Sequence, residues 1–104
     1  MEESWCSVNN TAKINFIRSK LTECEVLTQL AEEASELSQA ALKLRRAQMD
    51  INPTPVPVPE AEGQLEAEYM DVLTCLVVLG RENVDNDMIS ARLFRWAERL
   101  KVVT

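Results

Sequence analysis

Histidine is absent from the 104-residue chain, and its absence removes whole classes of chemistry. Zinc sites built on imidazole, histidine-dependent triads and the Glu-x-x-His motif of di-iron bundles all require it. Cysteine offers little in exchange. Cys6, Cys24 and Cys75 are odd in number, widely spaced and form no CxxC pair, so neither a disulfide framework nor a thiolate metal knuckle is indicated. Cys24 and Cys75 fall in helical patterns, where a free cysteine is usually a small buried hydrophobe. This cysteine usage fits a reducing cytoplasm best. Basic charge is also scarce. Eleven Lys and Arg against 17 Asp and Glu leave a formal net charge of −6, which offers no attraction to nucleic-acid backbones or anionic lipid. Polymeric nucleic acid and membranes are therefore not expected as partners. Small phosphorylated molecules stay compatible, because a bound divalent cation inverts the field around an acidic site.

Long hydrophobic runs are missing too. The longest, Val72 to Gly80 with Thr74 inside it, is far too short to cross a bilayer. The opening MEESWCSVNN is acidic and polar where a secretory signal is basic and then apolar, so a soluble protein is expected. The length suits a single domain over residues 1–104, near the size at which helical bundles often complete their core by oligomerising.

What is present is helical periodicity. Ile14, Phe16, Ile17 and Leu21 mark a short first helix over about 11–21. Thr22 followed by Glu25 has the form of a capping box, and Leu21 with Val26 that of a hydrophobic staple, so a second helix is expected to start near Glu23. Leu27, Leu30, Ala34, Leu37, Ala41 and Leu44 recur along it at intervals of three and four, a bundle-type seam. Arg45 and Arg46 suit its negative end. The alternating prolines of Asn52 to Pro59 end the helix and favour an extended polyproline connection of roughly 25 Å. It fits a spacer better than an SH3-type ligand. A third helix is expected from about Glu60 to Arg81, apolar on more than one side. After a turn, a fourth runs from an N-cap at Asp85 or Asn86 to about Lys101, striped by Met88, Ile89, Leu93, Trp96 and Leu100. No segment alternates with period two, so the expected class is all-α, of four-helix-bundle type and oligomeric.

Two of these helices carry acids inside their apolar patterns. At 100° per residue, with Leu30 as zero, Glu33 lies at about −60°, Glu36 at about −120° and Glu32 about 160° away. Glu33 and Glu36 flank the stripe, whereas Glu32 points elsewhere. With Val72 as zero, Glu68 lies at about −40° and Asp71 at about −100°, which puts Glu68 among Leu65, Val72 and Leu76. No Lys or Arg stands at i±3 or i±4 of Glu68. A buried carboxylate without a partner costs several kcal/mol, and two such charges ~5 Å apart repel by roughly 3 kcal/mol at an effective dielectric of ~20. A hard cation relieves both costs, Mg²⁺ first and Mn²⁺ second. For Glu32, Glu62 and Glu66 a solvated helix face is the simpler account.

The pattern Glu32-Glu33-Ala34-Ser35-Glu36, followed by Glu68-Tyr69-Met70-Asp71, resembles the MazG-like all-α nucleoside triphosphate pyrophosphohydrolases, the superfamily that includes the dimeric dUTPases. The likeness spans about residues 12 to 100 and includes the apolar run after the second motif and the closing ARLFRWAERL. It implies that Glu33, Glu36, Glu68 and Asp71 bind Mg²⁺, with Glu32, Glu33 and Glu36 as the catalytic acids and Glu32 orienting water or assisting a second metal. It also implies cleavage of an NTP or dNTP between the α and β phosphates, releasing pyrophosphate and the monophosphate, in a homodimer or homotetramer. The chain departs from the pattern twice. The 31 residues between Glu36 and Glu68 exceed the usual gap because of the proline-rich segment. Arg92, Arg95 and Arg99 stand on the fourth helix where relatives often have Lys and Asn, with Arg95 the best candidate for a phosphate contact. Asn15 or Phe16 could approach a base; Trp96 is expected in the core. The competing account is a non-catalytic helical interaction module, in which the Leu30, Leu37 and Leu44 seam mediates assembly and the prolines recruit a partner.

Overall fold

The capping box at Thr22 forms as its sequence requires. Glu25 N–H donates to Thr22 Oγ1 at 3.1 Å, and Thr22 N–H donates back to Glu25 Oε1 at 2.9 Å; the latter bond holds the Glu25 carboxyl below its ordinary pKa. In this computed structural model residues 8–50 and 56–103 are described, with side chains through Lys101. Trp5, Cys6 and the stretch 52–55 of the proline connection lie outside the described residues. The described residues fold into four helices and no strand: α1 (Asn10–Lys20), α2 (Glu23–Gln48), α3 (Val58–Leu79) and α4 (Asn86–Val103). None is long and apolar enough to cross a membrane.

The helix ends have local causes. Asn9 caps α1 by accepting from Ala12 N–H at 2.8 Å, and Asp85 caps α4 through Met88 N–H at 3.0 Å. α3 begins at Val58, two residues ahead of the expected start. Of the expected proline connection, Val58 and Pro59 thus belong to the helix, because Pro59 occupies a first-turn position that needs no N–H. At the other end Gly80 takes φ 71°, and its N–H and that of Arg81 bond back to Val77 and Leu76 carbonyls, a left-handed C-terminal cap that glycine adopts without strain. Arg18 of α1 reaches the same end. Its Nε donates to Val78 O at 2.7 Å, serving a carbonyl at the helix end, and its Nη2 lies 3.5 Å from Val77 O, which already accepts from Gly80 N–H; the two bonds tie α1 to α3.

α2 and α3 pack along each other and form the core, from Val26 and Ala40 on one and Ala61, Cys75 and Val78 on the other. The contact face of α2 is rotated from the expected seam. Of the seam, Leu30, Leu37 and Leu44 are half-buried while Leu27, Ala34 and Ala41 are exposed, and the face centres instead on Val26 and Ala40, which are buried, and Glu33, which is half-buried. Cys24 is exposed as well; it sits in the first turn of α2, away from the face that α3 covers. The largest departure is α4, whose described side chains are all exposed, Trp96 at 60%. Its apolar stripe exists as expected, but no helix of the same chain covers it. The radius of gyration, 18.4 Å, accordingly exceeds the roughly 13 Å of a compact chain this long.

The two glycines predict opposite responses to alanine. Gly80→Ala meets no crowding, since its Cβ would lie 3.5 Å from Arg18 Nη2, yet it forces an L-residue to positive φ and should cost about 1 kcal/mol. Gly63→Ala, in mid-helix with nothing within 4 Å of the new Cβ, should stabilise by about 0.5–1 kcal/mol. Urea denaturation of both variants checks the pair of signs.

Candidate metal centre

The α2–α3 packing brings acids from both helices together. One carboxylate oxygen from each of Glu33, Glu36 and Glu68 lies within 4.8 Å of the others. Glu33 and Glu36 stand one turn apart on α2, and the rotation of that helix turns Glu33 towards α3. Two oxygens of these three residues are orphans. Glu33 Oε2 and Glu68 Oε2 are buried and have no hydrogen-bond partner. Glu33 Oε1 accepts from Gln29 Nε2 at 2.8 Å. No Lys or Arg makes an ion pair with any of the three; among the described residues the one such pair is Lys101 with Glu98.

This donor set fits a hard cation. All the atoms are carboxylate oxygens, two are stripped of water without compensation, and no protein cation neutralises them. The remaining acids are placed differently. Asp71, exposed on α3, is not among the oxygens gathered within 4.8 Å, although its charge reaches the neighbouring Cys75. Burial first, and then the charges of Glu33 and Asp71, push the Cys75 thiol above its ordinary pKa. A protonated thiol is neither nucleophile nor metal ligand, so Cys75 is a core residue. Glu32 is exposed and stands outside the group, as its helical position implies.

A cleft of about 440 Å³ lies beside the acids, lined by Ile17 and Leu21 of α1, Val26 and Gln29 of α2, and Cys75 and Val78 of α3 among others. Its wall is mostly apolar, with Glu25, Thr28, Gln29 and Thr74 as polar points. Gln29 belongs to both features, since it lines the cleft and bonds Glu33. Its signal in the sequence is its position four residues before Glu33, on the same helix face. Asn15 is exposed and outside the lining, which α1 supplies through Ile17 and Leu21. Arg92, Arg95 and Arg99 are exposed on α4 and make no ion pair among the described residues.

The chain thus belongs, by fold and site, to all-helical proteins with a carboxylate cluster between two packed helices. Compared with protein-family models, curated proteins and solved structures, it finds no match.

The cluster makes a direct prediction. Glu68→Gln removes one of three converging charges and should raise the melting temperature of the metal-free protein, while abolishing the further rise that Mg²⁺ gives the unaltered chain. At a Mg²⁺ concentration 100-fold above the Kd that rise corresponds to about 2.7 kcal/mol. An unaltered chain whose melting is unmoved by Mg²⁺ and Mn²⁺ contradicts the site.

Proposed function

We propose that the chain is a Mg²⁺-dependent nucleotide pyrophosphohydrolase of the MazG-like kind, acting on an NTP or dNTP between the α and β phosphates. In this account it works in the cytoplasm as a homo-oligomer whose helices complete a four-helix bundle. The observation that carries it is the meeting of Glu33, Glu36 and Glu68 with two orphaned buried oxygens, beside a cleft whose size and apolar wall suit a nucleoside. Bound Mg²⁺ would supply charge neutralisation at the phosphoryl oxygens and a lowered pKa for the attacking water.

The chain's own residues divide the remaining work. Glu33, Glu36 and Glu68 would hold the ion, with Asp71 as the fourth ligand that the resemblance implies, and Gln29 fixes the Glu33 carboxylate through its hydrogen bond. Glu36, the exposed member, would be the proton acceptor. Glu32, outside the group, keeps a role only with a second metal or a water-orienting contact. Ile17, Leu21 and Val26 exclude water from the sugar and base, and Thr28 and Thr74 offer hydroxyls to them. Arg92 and Arg95 are the available phosphate ligands, since neither is engaged elsewhere. The exposed stripe of α4 favours the second account, an interaction module, and turnover discriminates the two.

Incubation with a panel of NTPs and dNTPs plus Mg²⁺, with separate assays for pyrophosphate and orthophosphate, tests the proposal. Pyrophosphate with the matching monophosphate is expected, and Glu33→Gln should lower the rate by at least about a hundredfold. Orthophosphate alone, or no product from any nucleotide, would contradict it.

A further inference from the structure

The polar groups on the wall of the cleft are nearly all of one kind. Thr28 Oγ1 donates to Cys24 O at 3.0 Å, and Thr74 Oγ1 donates to Met70 O at 2.7 Å. Each hydroxyl proton is thus committed to a carbonyl one turn back in its own helix, and what the hydroxyl has left to offer the cleft is a lone pair. Glu25 adds further acceptor sites. Its Oε1 already takes Thr22 N–H and Thr22 Oγ1, and a carboxylate has no proton to give. Gln29 turns its Nε2 to Glu33 Oε1 at 2.8 Å. Because the Glu33 carboxylate only accepts, that bond fixes which end of the amide is nitrogen and leaves the Gln29 carbonyl oxygen open.

Donors are correspondingly scarce. Among the described residues no Lys or Arg lines the cleft. Cys75 contributes a weak S–H, and Gln29 keeps a single N–H beyond the one given to Glu33. Acceptors therefore come from both helices, Thr28 and Gln29 on α2 and Thr74 on α3, while donors are almost lacking.

A flat heterocycle entering this cleft gains at each N–H it presents and loses at each carbonyl, since two acceptors facing one another leave both unpaired and desolvated. Cytosine, adenine and guanine carry an exocyclic amino group, a paired donor with no counterpart on uracil or thymine. Uracil instead presents one ring N–H flanked by carbonyl oxygens. Cytosine and uracil have the same shape, so the apolar wall of Ile17, Leu21 and Val26 cannot separate them. Hydrogen bonding does, and a site whose polar groups would be left unpaired rejects the wrong isostere far more strongly than a purely apolar one.

We propose that the cleft selects nucleotides whose base carries an amino group over those of uracil and thymine, with Thr28 and Thr74 as the specificity-determining acceptors. The proposal rests on the reading above that a base occupies this cleft, and it is tested without turnover.

Titration of the unaltered protein with free deoxynucleosides, followed by amide NMR shifts, reads the preference directly. Deoxycytidine should shift the amides of residues 25–29 and 74–78, which line or border the cleft, and bind about tenfold more tightly than deoxyuridine. Thr28→Val with Thr74→Val keeps the shape of both side chains at exposed helix positions; it should weaken deoxycytidine and bring the ratio close to one. Deoxyuridine binding as tightly as deoxycytidine, shifts confined to other residues, or a ratio unchanged by the valines overturns the proposal. The two readings fail separately. Release of pyrophosphate from dUTP as readily as from dCTP would overturn the base preference and leave the hydrolase, whereas a protein inert on every nucleotide that still prefers deoxycytidine would keep the preference and lose the hydrolase.

Discussion

Three carboxylates held together without a protein cation constrain everything near them. Glu33 and Glu68 each bury an oxygen that accepts no hydrogen bond, and with Glu36 they crowd within 4.8 Å. At an effective dielectric of 20 each charged pair repels by up to about 3 kcal/mol, a ceiling that the exposure of Glu36 lowers. Set against a net domain stability of about 5–15 kcal/mol, that repulsion is large enough to be relieved by protonation, by separation of the side chains or by a bound cation. The α2–α3 packing, the rotation of α2 that turns Glu33 inward, and the Gln29 bond that fixes one of its oxygens all serve this one concentration of charge.

The position of the cluster also explains the smallness of the core. Where a two-helix interface would place large side chains at its centre, α2 and α3 meet through Val26, Ala40, Ala61, Cys75 and Val78, and the middle is given over to acids. The apolar surface on the outer sides of α2 and on α4 then remains uncovered within one chain.

Much of this was legible in the sequence, for identifiable reasons. Local rules decided the start of α2, since Thr22 and Glu25 satisfy each other's backbone whatever the tertiary fold. Helical geometry set Glu33, Glu36, Glu68 and Asp71 beside or within the apolar stripes of their helices; the packing gathers the first three and leaves Asp71 exposed outside the group. The cap of α4 was narrowed to Asp85 or Asn86 in the same way, and Asp85 is the one that caps, whereas the first turn of α3 was obscured because prolines suited to an extended spacer also suit a helix start. What local pattern could not supply was the partner of each apolar stripe. The expected seam through Ala34 and Ala41 is real, but α3 packs beside it, so those alanines are exposed. Trp96 lies on an apolar stripe and is nonetheless exposed, because periodicity says which face wants burial and not whether the same chain provides the cover. Gln29 and the cleft depend on three helices meeting, which no single segment encodes.

The central claim is that the acids are held together for a cation, and a crystal soaked with Mn²⁺ and measured for anomalous scattering tests it most directly. The account predicts a peak between α2 and α3 within about 2.5 Å of Glu33 Oε2 and Glu68 Oε2. A map with no peak there, and with Glu33 and Glu68 paired instead to a side-chain donor from this chain or its neighbour, would contradict it.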